Sequence, residues 1–237
     1  VRNYSAAVNE LAAWLRERRG VESWDAVDAR TIRAYLIELQ RGLSRRTVHN
    51  RFSSLKAFFR HGQRMGWTES NPCKELSLPK MEKRLPVYLT ALQVKALLLA
   101  PQRMMENGRL GASIAWQDRA IMELLYGGGL RISELVSLRW PDVDFNRRMV
   151  RVLGKGDKER ICPVGRVCCE TLRNYRQVAA SQQGIQGYVF PGSCDGHLHP
   201  RTVQARMKRY LRYADLPADI TPHKLRHSYA THLLDAG

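Results

Sequence analysis

Thr221-Pro-His-Lys-Leu-Arg-His-Ser-Tyr-Ala-Thr-His-Leu-Leu-Asp-Ala-Gly237 reads as the opening of a helix that holds a phosphate. Thr221 suits the cap position, and Pro222 suits the first helical residue, where no N–H is needed. His223 and Arg226 then lie three apart, on one helical face at the mouth of that helix. A helix N-terminus already attracts anions. A histidine and an arginine converging there add charge and a site of proton transfer.

Two segments upstream extend the pattern. Arg131 follows Gly127-Gly-Gly129 and opens a short helix, with Glu134 one turn on to hold its guanidinium in place. Lys155 stands in Gly154-Lys-Gly-Asp-Lys-Glu159, the glycine-bearing turn of a β-hairpin whose arms are Met149–Leu153 and Arg160–Val164. Each residue taken alone is ordinary: a surface arginine–glutamate pair, a solvated lysine, a hydrogen-bonded histidine. Together, two arginines, a lysine and a histidine on tight local frames supply what phosphoryl transfer without a metal requires.

Charge agrees with an anionic partner. The chain holds 39 Lys+Arg against 22 Asp+Glu, a net +17. Residues 1–85 carry 17 basic and 9 acidic side chains (net +8), and the remainder 22 and 13 (net +9), so two basic bodies are expected rather than one basic tail. Nucleic acid is the usual partner of such a surface, with an anionic membrane the weaker option. No apolar run could span a bilayer, and the first residues alternate charged and apolar, unlike a signal peptide. Five cysteines, Cys73, Cys162, Cys168, Cys169 and Cys194, lack zinc-ribbon spacing. Cys194, His197 and His199 read as a polar loop with no second ligand pair, so no metal is expected. Reduced thiols in a cytoplasmic protein follow.

The first seventy residues read as helices. Tyr4, Val8, Leu11 and Leu15 recur at helical spacing before Gly20, and Asp28 caps a second helix with Ile32, Tyr35, Leu36 and Leu39. Ser44 caps a third that ends near Gly66. Between Glu38 and Glu69 this region has seven basic residues and no acidic one. Arg45, His49, Lys56 and Arg60 fall within about 60° of one another on the third helix, apart from the arc of Val48, Phe52, Leu55, Phe58 and Phe59. A solvated face would mix signs, so Arg45, Arg46, His49, Lys56 and Arg60 are candidate DNA contacts. Leu78–Pro86 reads as an extended charged linker. Domains are therefore expected at 1–78 and 87–237, joined by 79–86. Beyond the linker the pattern predicts helices at Thr90–Leu99, 115–126, 166–181 and 200–214, and a strand at Tyr188–Phe190.

The arginine box Leu124–Leu135, the lysine hairpin Gly154–Arg160 and the terminal His-x-x-Arg box resemble, in order, the boxes of the tyrosine recombinase (phage integrase) family, most closely its bacterial Xer members (XerC/XerD type). The resemblance covers nearly the whole chain. It implies a mainly α fold with a small β-hairpin or sheet (α+β), built as a two-domain DNA clamp with a helical, SAM-like core-binding domain before the catalytic one. It implies a site-specific recombinase in which a tyrosine attacks the scissile phosphate, giving a 3′-phosphotyrosyl link and a free 5′-hydroxyl. Arg131 and Arg226 would hold the non-bridging oxygens, Lys155 would protonate the leaving oxygen, His223 would assist at the tyrosine, and Glu134 would support Arg131. No cofactor is implied. The implied partners are a double-stranded recombination site, a recombinase tetramer on two such sites, a second Xer-type protein and a DNA translocase regulator. None of the nine tyrosines stands where the family places its nucleophile, so the chain is expected to be a fragment. A phage, transposon or integron integrase, or a DNA-binding module lacking the nucleophile, are the alternatives to chromosome dimer resolution.

Overall fold

Asp28 and Ser44 set where two amino-terminal helices begin. Asp28 Oδ1 accepts from the Thr31 N–H at 2.7 Å and Ser44 Oγ from the Thr47 N–H at 3.2 Å, each satisfying a donor that the first turn would otherwise leave unpaired. They open α2 (Ala29–Gly42) and α3 (Arg45–Arg64), which pack with α1 (Arg2–Arg19). Gly20, at φ +61°, ends α1 in the left-handed conformation expected of a terminating glycine. Leu11, Leu15, Ile32, Tyr35, Leu36, Val48, Phe52, Leu55 and Phe59 form one buried cluster. Tyr4, which shares the helical spacing of Leu11, is 54% exposed instead. Periodicity identifies a face, and at Tyr4 the core does not cover it.

The computed structural model describes residues 2–80, 88–154, 158–180, 187–192 and 196–235. They divide into two units, Val1–Leu85 and Pro86–Gly237. In the second, α4 (Ala91–Glu106) opens on a capping box in which Thr90 and Gln93 bond each other's backbone N–H. The helix continues past Leu99, where the sequence pattern ends, because the buried Pro101 and Met104 hold the next turns in the core. Helix α5 (Ala112–Tyr126) runs through the centre of this unit, burying Ala115, Ala120, Ile121, Met122, Leu124 and Leu125. Around it pack α4, the short α6 (Ile132–Val136), α7 (Arg166–Ala180), α8 (Pro200–Tyr213) and α9 (Pro222–Asp235).

The sheet is antiparallel, in the order β1 (Val143–Asp144), β2 (Met149–Leu153) and β3 (Glu159–Pro163). Val150 pairs with Cys162 and Val152 with Arg160. Strand β1 is too short to show periodicity and gives no signal in the sequence. The expected strand at Tyr188–Phe190 resolves into isolated bridges, Arg139 to Tyr188 and Pro191 to His197. Val189 and Phe190 are both fully buried, which an alternating strand would not allow. The mainly helical character with one small sheet agrees with the sequence pattern.

Asp118 joins α5 to α8. Its carboxylate, 2% exposed, accepts from Arg206 Nη1 at 2.8 Å and from the Tyr210 hydroxyl, with Arg209 Nη2 3.6 Å away. Desolvation first, then the neighbouring carboxylate, pushes the Tyr210 hydroxyl well above its ordinary pKa, so it remains a donor. Asp118→Ala would take away the Tyr210 hydroxyl's acceptor and the negative charge beside both arginines, leaving Arg206 Nη1 with Gln117 Oε1 alone. The variant should lose about 3 kcal/mol, the low end for one partner of a buried pair because both arginines keep some solvent access. An unchanged urea midpoint would show that the network holds nothing together.

Candidate active site

Gly128 and Gly129 shape the turn that delivers Arg131. A Cβ on Gly128 would stand 2.9 Å from both the Leu124 carbonyl oxygen and Leu130 Cδ1, and Gly129 has φ +56°. Neither position accommodates a larger side chain without strain. Arg131 then caps α6, and Glu134 reaches back to it twice. Its Oε2 accepts from the Arg131 N–H at 2.7 Å and its Oε1 from Arg131 Nη1 at 2.8 Å.

Glu134 is only 3% exposed and gathers more than Arg131. Arg226 Nη1, from α9, lies 4.0 Å from Oε2. Arg160, from β3, donates through Nη2 to Oε2 at 2.6 Å and through Nε to Oε1 at 3.4 Å. Three guanidinia thus share one carboxylate, leaving two positive charges uncompensated in the group. Burial would raise the Glu134 carboxyl, but hydrogen bonds from Arg160 and from the Arg131 backbone and side chain bring it below the usual glutamate range. Arg226 is lowered by burial first, then by the charges of Arg131 and Arg160. Its Nη1 is buried without a hydrogen-bond partner among the described residues. The Arg131 and Arg226 side chains stay 58% and 30% exposed, so an anion reaching them would answer the excess charge.

Helix α9 presents His223 and Arg226 as the spacing suggests. Thr221 Oγ1 accepts from the Lys224 N–H at 3.3 Å. Leu225 and Ser228 face inward, and Ser228 Oγ accepts from the Leu89 N–H at 3.0 Å, anchoring the helix. His223 is exposed, one turn before Arg226. Lys155 lies outside the described residues. Tyr229 packs edge-on against Tyr126, ring centres 5.6 Å apart.

Arg160 is the member of the group that sequence reasoning alone misses. A signal for it exists: positions 160 and 162 share the inward phase of β3, and a basic residue in that phase needs a buried partner. Among the described residues no three His, Cys, Asp or Glu side chains gather as a metal site would. His197 packs against Tyr188, and His199 caps α8 by accepting from the Arg201 N–H.

On α3, Arg45, Arg46 and Arg60 are exposed. The other two candidate contacts are engaged locally: His49 Nε2 lies 2.9 Å from the Pro79 carbonyl oxygen, and Lys56 Nζ donates to the Leu76 carbonyl at 3.0 Å. Arg51 pairs with Glu10 of α1. No helix among the described residues is long and apolar enough to cross a membrane.

The family model of the phage integrase family matches residues 88–237, and that of the phage integrase N-terminal SAM-like domain matches residues 1–65. The chain belongs to the tyrosine recombinase (phage integrase) family. Among curated members of that family, it is 38% identical over 220 residues to tyrosine recombinase XerC of Alcanivorax borkumensis, covering 92% of this chain and 70% of the relative. It is 33% identical over 250 residues to tyrosine recombinase XerC of Syntrophus aciditrophicus, covering 100% and 78%. A crystal structure of XerH site-specific recombinase bound to palindromic difH substrate shares the fold at TM-score 0.80 and 18% identity, covering 99% of this chain and 69% of that one.

Because the folded Glu134 pKa lies below its ordinary value of 4.5, its pairing contributes stability that is fully present above that pH and is lost as pH falls through the folded pKa. Glu134→Gln should therefore be less stable than wild type near neutrality. The gap should close as the pH drops below about 4.5. A gap in urea midpoint that stays constant with pH would mean the carboxylate charge is irrelevant to the frame.

Proposed function

We propose that this chain is a site-specific DNA recombinase that cuts and rejoins duplex DNA through a 3′-phosphotyrosyl intermediate, in the manner of an Xer protein resolving chromosome dimers. The observation that carries the reading is the convergence of Arg131 and Arg226 on Glu134, with positive charge left over and a buried guanidinium donor unmatched among the described residues. Family membership and the XerC relatives support the reaction class and the Xer role.

In this reading Arg131 and Arg226 bind the two non-bridging oxygens and stabilise the charge that builds up during attack. Lys155 protonates the departing 5′-oxygen, and His223 assists proton transfer at the attacking tyrosine. That tyrosine is proposed to be none of the nine in the chain. The bond energy stays in the covalent link until the 5′-hydroxyl of a partner strand attacks. Residues 1–78 would act as the core-binding domain and 87–237 as the catalytic one, joined by 79–86. Arg45, Arg46, His49, Lys56 and Arg60 would contact the backbone of a double-stranded recombination site. The working assembly would be a tetramer on two such sites, with a second Xer-type protein and a DNA translocase as regulator, in the cytoplasm.

Affinity for a cognate duplex should fall by about 10³ or more between 50 and 200 mM salt, because several phosphate contacts displace counterions. A flat salt response would count against DNA binding of this kind. On a nicked suicide duplex the 237-residue chain should bind without forming an adduct resistant to phenol extraction. An adduct would place the nucleophile among the nine tyrosines.

The catalytic roles separate in the protein expressed from its natural reading frame. Arg131→Ala or Arg226→Ala should slow cleavage by roughly 10²–10³, and Lys155→Ala by roughly 10²–10⁴. A substrate with sulfur at the bridging 5′ position should rescue only the lysine variant, since a thiolate leaves without a proton. Rescue of Lys158→Ala instead would shift the role along the hairpin.

A further inference from the structure

We infer that Arg160 is a positioning residue for this reaction, holding Glu134 in the orientation that fixes Arg131 and faces Arg226. The inference rests on the recombinase reading above. All three guanidinium nitrogens of Arg160 are committed to the protein. Nη2 and Nε donate to the two oxygens of Glu134, and Nη1 donates to Cys162 Sγ at 2.9 Å. Arg131 differs, giving Glu134 one guanidinium hydrogen bond while its side chain stays 58% exposed. Arg226 faces Glu134 only at 4.0 Å, and its side chain stays 30% exposed. Two arginines can therefore face a phosphate, and the third supports them from behind.

The register explains why this residue does so. Arg160 pairs with Val152, and its neighbour two positions on, the buried Cys162, pairs with Val150. The strand phase therefore points Arg160 at the base of the site. Cys162 is pushed up by burial and remains a thiol, so its sulfur accepts without adding a charge. The groups that face Glu134 are Arg131 on its own turn, Arg160 and Cys162 from β3, and Arg226 from α9. Arg139, Asp142, Arg151 and Glu159 line the cleft of about 320 Å³ beside it. Among the described residues only Arg160 grips both carboxylate oxygens through its side chain. Without it, Arg131 alone hydrogen-bonds the carboxylate, which is held less firmly and has lost a strong stabilising neighbour.

Carbon NMR of the Glu134 carboxyl in the 237-residue chain tests the contact directly. Arg160→Ala should move its titration to higher pH, and Arg160→Lys, which keeps one donor, should move it less. A titration unmoved by Arg160→Ala overturns the inference, whether or not the protein cleaves DNA. Cleavage by the protein expressed from its natural reading frame tests the consequence. Arg160→Ala should slow cleavage about 10–100-fold, as the loss of a group that orients a functional side chain does at metal sites. The acid limb of its rate profile should rise with the Glu134 titration, and sulfur at the bridging position should give no rescue. On a Glu134→Gln background Arg160→Ala should cost little more. Additive losses, an unmoved acid limb or sulfur rescue would each overturn the positioning role. A wild-type protein that cleaves no duplex counts against the recombinase reading, and the NMR titration still decides Arg160.

Discussion

A single buried carboxylate, Glu134, brings guanidinia from α6, β3 and α9 within reach of one another. Three like charges in a partly dry site repel strongly. One carboxylate cannot cancel them, but it can make their meeting tolerable while leaving the group hungry for an anion. The rest of the carboxyl-terminal unit serves that arrangement. The glycine turn after α5 delivers Arg131, the sheet delivers Arg160, and the packed inner face of α9 delivers Arg226.

Much of this is legible in the order of the residues. Caps are local chemistry, so Asp28, Ser44, Thr90 and Thr221 announce their helices, and each accepts the expected N–H. The pairing of Arg131 with Glu134 is legible because both lie on one turn. What stays hidden depends on distance along the chain. Nothing near Arg160 in sequence reveals that Glu134 waits for it, and strand phase alone hints that it needs a partner. The continuation of α4 through Pro101 is hidden likewise, since it depends on core packing that a local rule about proline cannot include. The Tyr188–Phe190 segment misleads because a short apolar run looks alike in a strand and in a buried connection.

The amino-terminal unit separates its charges by a different means. Helix α3 turns Val48, Phe52, Leu55 and Phe59 inward and leaves Arg45, Arg46 and Arg60 to solvent. His49 and Lys56 have a second engagement, with the carbonyl oxygens of Pro79 and Leu76. Their substitution would disturb the path of the outgoing backbone as well as the surface charge, so a weakened complex in such variants reports both effects.

The arginine group is assembled from positions 131, 160 and 226, and no shorter stretch of the chain contains it. A carboxyl-terminal unit that has not yet closed β3 and α9 onto α6 offers a phosphate only scattered cations. An anion that binds the finished group binds nothing comparable in the open chain, so occupancy pulls the folding equilibrium toward the native state by mass action. Nucleic acid would then behave as a late-acting folding ligand for this unit, and an immature chain would be spared strong engagement with the first phosphodiester it meets.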